Sequence, residues 1–537
     1  MPRQLFTNWR IAPLCVRVAD ATSHCRGYPG NVHYVDKSVG CKKVSGLPWG
    51  SFVCAVALAL SSACGASPGA LDPSFGSGFG KVTTSIGPEH DVSRAVALQP
   101  DGRIVVAGAC VNGLFSDFCV ARFMPNGSLD TSFNGTGSVL TPVATGDDEA
   151  FAIALQPDGK ILVAGACTSG SITDFCMVRY LPDGALDASF NGVGTVVSRI
   201  SPDGSSAYAM ALLPDGKIVL AGECVVGVAN FCVARYSANG QLDTTFGATG
   251  TTYGAIGDAS SSARAISIQS DGQILLAGKC TSGGLQRFCA MRIDRTTALF
   301  DTTFGAGGKR IVSSFTSNAT VTSALLQADG KLVIGGYCSQ TSHEDFCLVR
   351  LRGDGTIDTS FGTSGTAIGT PKQYSLLYAM TLQRDGKIVV AGSCQSGSEI
   401  DFCVMRFNGN GGIDGSLNTI GQMVTPVGPS VDIVRAIAVQ PDGKILAAGQ
   451  CYSGTFNEFC MVRYEGGPFE AQICSMDIDG DNRVLATTDS LIHARIALGI
   501  RGPALVAGVI FQPNATRTTW PLIREFLVTQ CGLALDF

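Results

Sequence analysis

Three kinds of residue in this chain have types and spacings that could do chemistry: alternating carboxylates, regularly paired cysteines, and scattered acid clusters. Asp477, Asp479 and Asp481 occupy alternate positions of one short segment, followed by Arg483 and Asp489. Alternate loop residues can turn inward together. Their carboxylates, the Arg483 carbonyl and Asp489 would then surround one hard cation with oxygen, which is calcium chemistry. The competing reading is a solvated Asp/Gly turn. Asp147/Asp148, Glu89/His90 and His343/Glu344/Asp345 hold groups able to move protons. Each lies in a short polar stretch and reads more simply as a turn.

Of the 21 cysteines, 14 form pairs at a spacing of eight or nine residues: Cys110/Cys119, Cys167/Cys176, Cys224/Cys232, Cys280/Cys289, Cys338/Cys347, Cys394/Cys403 and Cys451/Cys460. Such regular pairing predicts disulfides and an oxidising compartment. Zinc would ask for CxxC or Cys/His spacing, and the five histidines fall at no repeated position. Seven equivalent copies suit a staple better than a redox site.

These residues must be positioned by a repeated element. The phrase QPDGK-I-x-V-A-G-x-C, a loop, DFC-x-x-R-[FY], a turn and LDxSFG recurs seven times, and the turn glycines from Gly102 to Gly443 step by 57, 57, 56, 58, 56 and 57 residues. In one copy, AFAIALQ, KILVAGAC, DFCMVRY and ALDASF read as four strands. Asp158-Gly159 between the first two is a hairpin signal, because glycine accepts the positive φ such turns need. Four antiparallel strands per unit, repeated seven times, predict a seven-bladed β-propeller. The pattern resembles the delta-60 repeat family of bacterial extracellular proteins, over about Ala70 to Gly467. The resemblance implies a propeller and carries no established activity. Copies four and seven depart from it, with Arg287 before Phe288-Cys289 and no aromatic in Asp414-Gly-Ser-Leu417.

Every third strand carries an arginine (Arg122, Arg179, Arg235, Arg292, Arg350, Arg406, Arg463), and an aspartate follows in the LDxSF segment (Asp130, Asp187, Asp243, Asp301, Asp358, Asp414). In a chain with 15% charged residues this repetition predicts a structural ion pair; the alternative is an anion-binding ring. The seventh third strand, Phe459 to Tyr464, has no LDxSF after it, while a spare copy, Leu71 to Phe75, precedes the first blade. The N-terminal segment is therefore expected to supply the outer strand of blade seven, with Asp72 near Arg463, closing the ring and protecting its edges.

After Gly467 the composition shifts. The acidic loop is followed by SLIHARIAL, with apolar residues at helical intervals, and later by TTWPLIREFLV. The module resembles a dockerin-type, single EF-hand-like domain. It departs in the position of Asp489, one residue late, and in lacking a second acidic loop, so one calcium ion is expected. Cys474 and Cys531 flank it and could staple it.

Ser51 to Leu60 is an apolar run, preceded by Lys42 and Lys43 and followed by small residues, as in a signal peptide. It is short for a membrane span. Cys64 lacks the leucine usual three residues before a lipidated cysteine. The expectation is an all-β chain: 1–43 an unassigned N-terminal extension, with the true start site expected downstream of it, 44–66 a signal peptide, 68–467 a seven-bladed propeller of four-stranded antiparallel blades, and 472–537 a small α-helical calcium-binding module. A net charge of -5 without a basic stripe argues against nucleic acid. The leading functional expectation is a secreted or cell-surface binding or scaffold protein, not an enzyme, presenting disulfide-pinned loops to a protein or glycan. The alternative is an extracellular carbohydrate-active enzyme with its site at the propeller axis.

Overall fold

The structure, a computed structural model, describes residues 67–467 apart from 341–342, together with single positions at 492, 506, 507, 509, 519, 522 and 523. The extension 1–43, the expected signal peptide 44–66 and the expected C-terminal module lie outside the described residues, those single positions excepted. So do the expected calcium ligands Asp477, Asp479, Asp481, Arg483 and Asp489.

The described strands form seven four-stranded antiparallel sheets. Blade two is typical: Asp148–Leu155 innermost, then Ile161–Ser169, Ile172–Tyr180 and Thr195–Ser198. Second and third strands are near-continuous apolar runs because both faces of each blade are covered by a neighbour. The core accordingly divides into clusters between adjacent blades. One joins Val105, Phe118 and Phe133 of blade one to Ile161, Val163 and Tyr180 of blade two. Another joins Leu446, Phe459 and Phe75 to Ile104 and Phe123 across the closure.

The outer strand is not where the sequence pattern puts it. ALDASF forms a turn with one isolated bridge, Tyr180 to Leu186, and the fourth strand follows at Thr195–Ser198. The cause is local. The Asp187 carboxylate accepts hydrogen bonds from the Ser189 N–H and hydroxyl at 3.1 and 2.6 Å, which bends the chain, and Phe190 then plugs the core.

Ring closure follows the count of copies, shifted by the same element. Lys81–Thr84 is the outer strand of blade seven, paired antiparallel with Phe459 to Val462. Of the segment expected there, Leu71 bridges Tyr464, and Asp72 accepts from Arg463 Nε at 2.6 Å.

All seven expected disulfides are present, with Cα separations of 5.5 to 6.0 Å. The two cysteines are not directly opposed, as facing positions on a hairpin would be. Gly108 faces Cys119 and Cys110 faces Asp117, so the bond runs diagonally between the strands, within the usual Cα range. Seven such bonds fit an extracellular protein. Among the described residues no helix is long and apolar enough to cross a membrane.

Candidate functional site at the propeller axis

Each innermost strand carries a bulge against the second strand at the same place in the repeat, and blade six has a further one between Gln373 and Leu376. In blade one the shared bulge falls between Ser93 and Ala95, in blade three between Ala207 and Ala209, and the other five blades repeat it. A bulge leaves one residue out of the ladder and re-aims its side chain. The seven bulged residues are Arg94, Phe151, Tyr208, Arg264, Thr322, Tyr378 and Arg435, and all line one pocket of about 640 Å³. A pocket reached by the same strand from every blade lies on the axis. The glycine of the repeated A-G-x-C motif makes this possible. A Cβ on Gly222 would stand 1.8 Å from the Ser206 carbonyl oxygen, and on Gly108 1.9 Å from that of Val92. Only a residue without a side chain lets the bulged strand come so close.

Six of the seven axial side chains pair off. Arg264 stacks on Tyr208 with its Cζ 3.7 Å from the ring centroid, Arg435 on Tyr378 at 4.4 Å, and Arg94 on Phe151 at 5.6 Å. Thr322, in blade five, donates to the Leu377 carbonyl at 2.8 Å. By blade order Arg435 and Arg94 are neighbours across the closure, and Arg264 stands on the facing wall.

Lys279 joins the lining beside Arg264, and Glu223 lies close to both Tyr208 and Lys279. Burial and the charge of Arg264 push the Lys279 amine below its ordinary value, with Glu223 opposing. Burial pushes the Tyr208 phenol up, with Arg264 opposing. Burial and the charge of Arg94 push Arg435 down, with Tyr378 and Glu149 opposing. Arg94 itself holds Glu149, Nε to Oε1, at 2.7 Å.

The repeated third-strand arginines are elsewhere and are occupied. Arg179 Nε donates to Asp187 Oδ2 at 2.7 Å, its Nη1 donates to the Ala238 carbonyl of the next blade at 2.6 Å, and its Cζ lies 4.5 Å from the Phe190 ring centroid. Arg463 repeats this across the closure, with Asp72, the Pro125 carbonyl and Phe75. The arginines are interblade clasps, as the ion-pair reading expects. In blade six Leu417 stands where the aromatic would be, and Arg406 keeps its polar partners.

The acid clusters picked out in the sequence do not line the axial pocket. Asp148 is buried, and its carboxylate accepts the Val143 and Ala144 N–H groups at 2.7 and 2.9 Å. Asp147 accepts the Ser116 N–H at 2.9 Å. His90 Nδ1 accepts the Asn457 N–H at 3.0 Å, and its ring packs edge-on against Phe456. His343 Nε2 lies 3.5 Å from Asp345 Oδ1. Glu89 and Glu344 stay apart from the axis as well.

Six segments, 99–133, 156–190, 213–246, 327–361, 383–416 and 440–466, match a sequence family described as a domain of unknown function (DUF5122) beta-propeller. A comparison with curated proteins finds no match. Solved structures similar to the chain include virginiamycin B lyase from Staphylococcus aureus, at 11% identity over 71% of this chain and 98% of that one, TM-score 0.41. They include an ulvan lyase of a polysaccharide lyase family, at 10% over 72% and 96%, TM-score 0.46, and Drosophila Semaphorin 2a, at 9% over 72% and 75%, TM-score 0.44. Against the expectation of a non-enzyme, the similar structures include enzymes, the lyases above, in a likeness of fold alone; the search for acid clusters overlooked the side chains that line the axial pocket. With six matched segments and seven four-stranded blades, the chain fits a β-propeller repeat family.

Proposed function

We propose that the protein is an extracellular carbohydrate-active enzyme whose site is the axial pocket. One observation carries this reading: a scaffold repeated seven times aims side chains of four types, arginine, tyrosine, phenylalanine and threonine, at the axis. Stability alone asks for no such variety at a bulge. Three arginine–aromatic pairs offer flat apolar faces edged with hydrogen-bond donors, which suits a sugar ring and its hydroxyls. Lys279 and Tyr208 supply the proton chemistry. The amine, shifted toward its neutral form, takes a proton, and the phenol, kept protonated by burial, gives one to a leaving oxygen. Hydrolysis by two free carboxylates has less support, because Glu149 is held by Arg94. The scaffold reading rests on the pinned loops alone.

The test is to incubate the purified protein with a panel of neutral and acidic polysaccharides. Chain cleavage is read by new reducing ends and by ultraviolet absorbance of unsaturated products. At least one substrate should be cut, and Tyr208→Phe or Lys279→Met should slow cleavage by about a hundredfold or more. Full activity in both variants would move the chemistry away from the axis.

A further inference from the structure

We infer that the axial site takes an acidic saccharide, and that Arg435, with Arg94 beside it, receives the carboxylate or sulfate group. This rests on the axial pocket being the saccharide site, and names what that saccharide must carry.

Arg435, half-buried, is unlike the chain's buried third-strand arginines. Each third-strand arginine has its own aspartate, such as Arg122 with Asp130 and Arg350 with Asp358, both Nε to Oδ2. Arg435 forms no salt bridge among the described residues, and its Nε is buried without an acceptor. A buried charged donor left unpaired is costly. The stack on Tyr378 fixes the plane of the guanidinium, so the unfilled N–H keeps one direction. Its neighbour Arg94 adds a second positive charge on the same wall, and Glu149 is already committed to Arg94.

Across the pocket the balance has the same sign. Arg94, Arg264 and Arg435 are cations, with the Lys279 amine beside them, and the nearby acids are Glu149 and Glu223. The chain as a whole carries -5, so this concentration is local. A sugar hydroxyl could accept the Arg435 N–H but would leave the Arg435 charge without a salt-bridge partner, because Glu149 is held by Arg94. An oxyanion does both, and arginine presents a donor fork that matches carboxylate and sulfate oxygens. The adjoining Tyr378 and Phe151 faces take the apolar side of the same sugar.

The experiment is calorimetric titration of the full chain with three probes: an oligogalacturonate, its carboxyl-reduced neutral counterpart, and a sulfated neutral oligosaccharide. At least one acidic probe should bind about tenfold or more tightly than the neutral one, and added salt should shrink the difference. Arg435→Gln should abolish the preference and leave the melting temperature equal or higher, since it removes an unpaired charge; Arg94→Gln provides a second variant. The carboxylated and sulfated arms identify the anion. Equal binding of acidic and neutral probes, lost in Tyr378→Ala, would overturn the anion assignment and keep the saccharide site. Binding that neither Arg435→Gln nor Tyr378→Ala alters, or no binding at all, would overturn the axial reading itself.

Discussion

Asp187 sits buried between Arg179 and Lys160 and accepts two hydrogen bonds from Ser189. Burial pushes its carboxyl upward, but the Ser189 and Lys160 hydrogen bonds and the Arg179 charge hold it at about 2. Asp358 is held at about 2 in the same way, against burial, by Ser360, Arg350 and Lys331. An aspartate in the unfolded chain ionises near about pH 4. A folded value below that adds stability that is complete above about pH 4 and disappears as the pH falls toward 2. Asp91, Asp148 and Asp432, pushed upward by burial, act in the opposite sense and lose stability as the pH rises through their range. The melting temperature should therefore fall steeply as the pH drops from 4 to 2. Asp187→Asn should melt lower at pH 7, by about 2–3 kcal/mol of lost stability, because Arg179 keeps its burial and loses its carboxylate. An unchanged melting temperature from pH 4 to 2 would remove the clasps from the stability of the fold. The pairing itself was legible, since arginine and aspartate recur together. The reach of Arg179 to the Ala238 carbonyl was not, because a backbone acceptor leaves no mark in the side-chain sequence.

At the scale of the strand, the A-G-x-C glycine and the innermost bulge are two halves of one device. Gly222→Ala would drive a methyl group into the Ser206 carbonyl, forcing the two inner strands of blade three apart. We expect a loss on the order of 1–3 kcal/mol by thermal or denaturant unfolding, together with weaker ligand binding as Tyr208 leaves Arg264. Native stability in that variant would mean the bulge relaxes freely and the glycine has another cause. The blade count was legible because the hairpin turns and cysteines keep their spacing. The outer strand was misread because Leu186 and Phe190 sit among polar residues much as in a strand, and nothing in that pattern reveals that Asp187 bends the chain. The axial ring was legible only by stacking the copies. RAVAL, FAIAL, YAMAL, RAISI, TSALL, YAMTL and RAIAV agree from the second residue onward in being small or apolar, with an occasional serine or threonine, and change chemical class at the first. Reading the strands one at a time hides that column.

At the scale of the ring, the closing strand joins residues almost 400 positions apart, and loop entropy grows only slowly with such a length. Removing residues 67–84 takes away Lys81–Thr84 and Asp72 together. It leaves the backbone of Phe459 to Val462 unpaired and Arg463 without its carboxylate. That deletion should lower the melting temperature and produce aggregates by light scattering; a monomer that melts as before would mean the ring holds without its clasp. The offset between seven third strands and a displaced first LDxSF made this closure readable from arithmetic alone. The same feature sets an order of events for a chain threaded through a pore amino end first. Each cysteine pair lies within nine residues and can oxidise as its own hairpin emerges, before another pair is available to it. The segment that shuts the circle is first out and last paired, waiting for blade seven while every other blade is made.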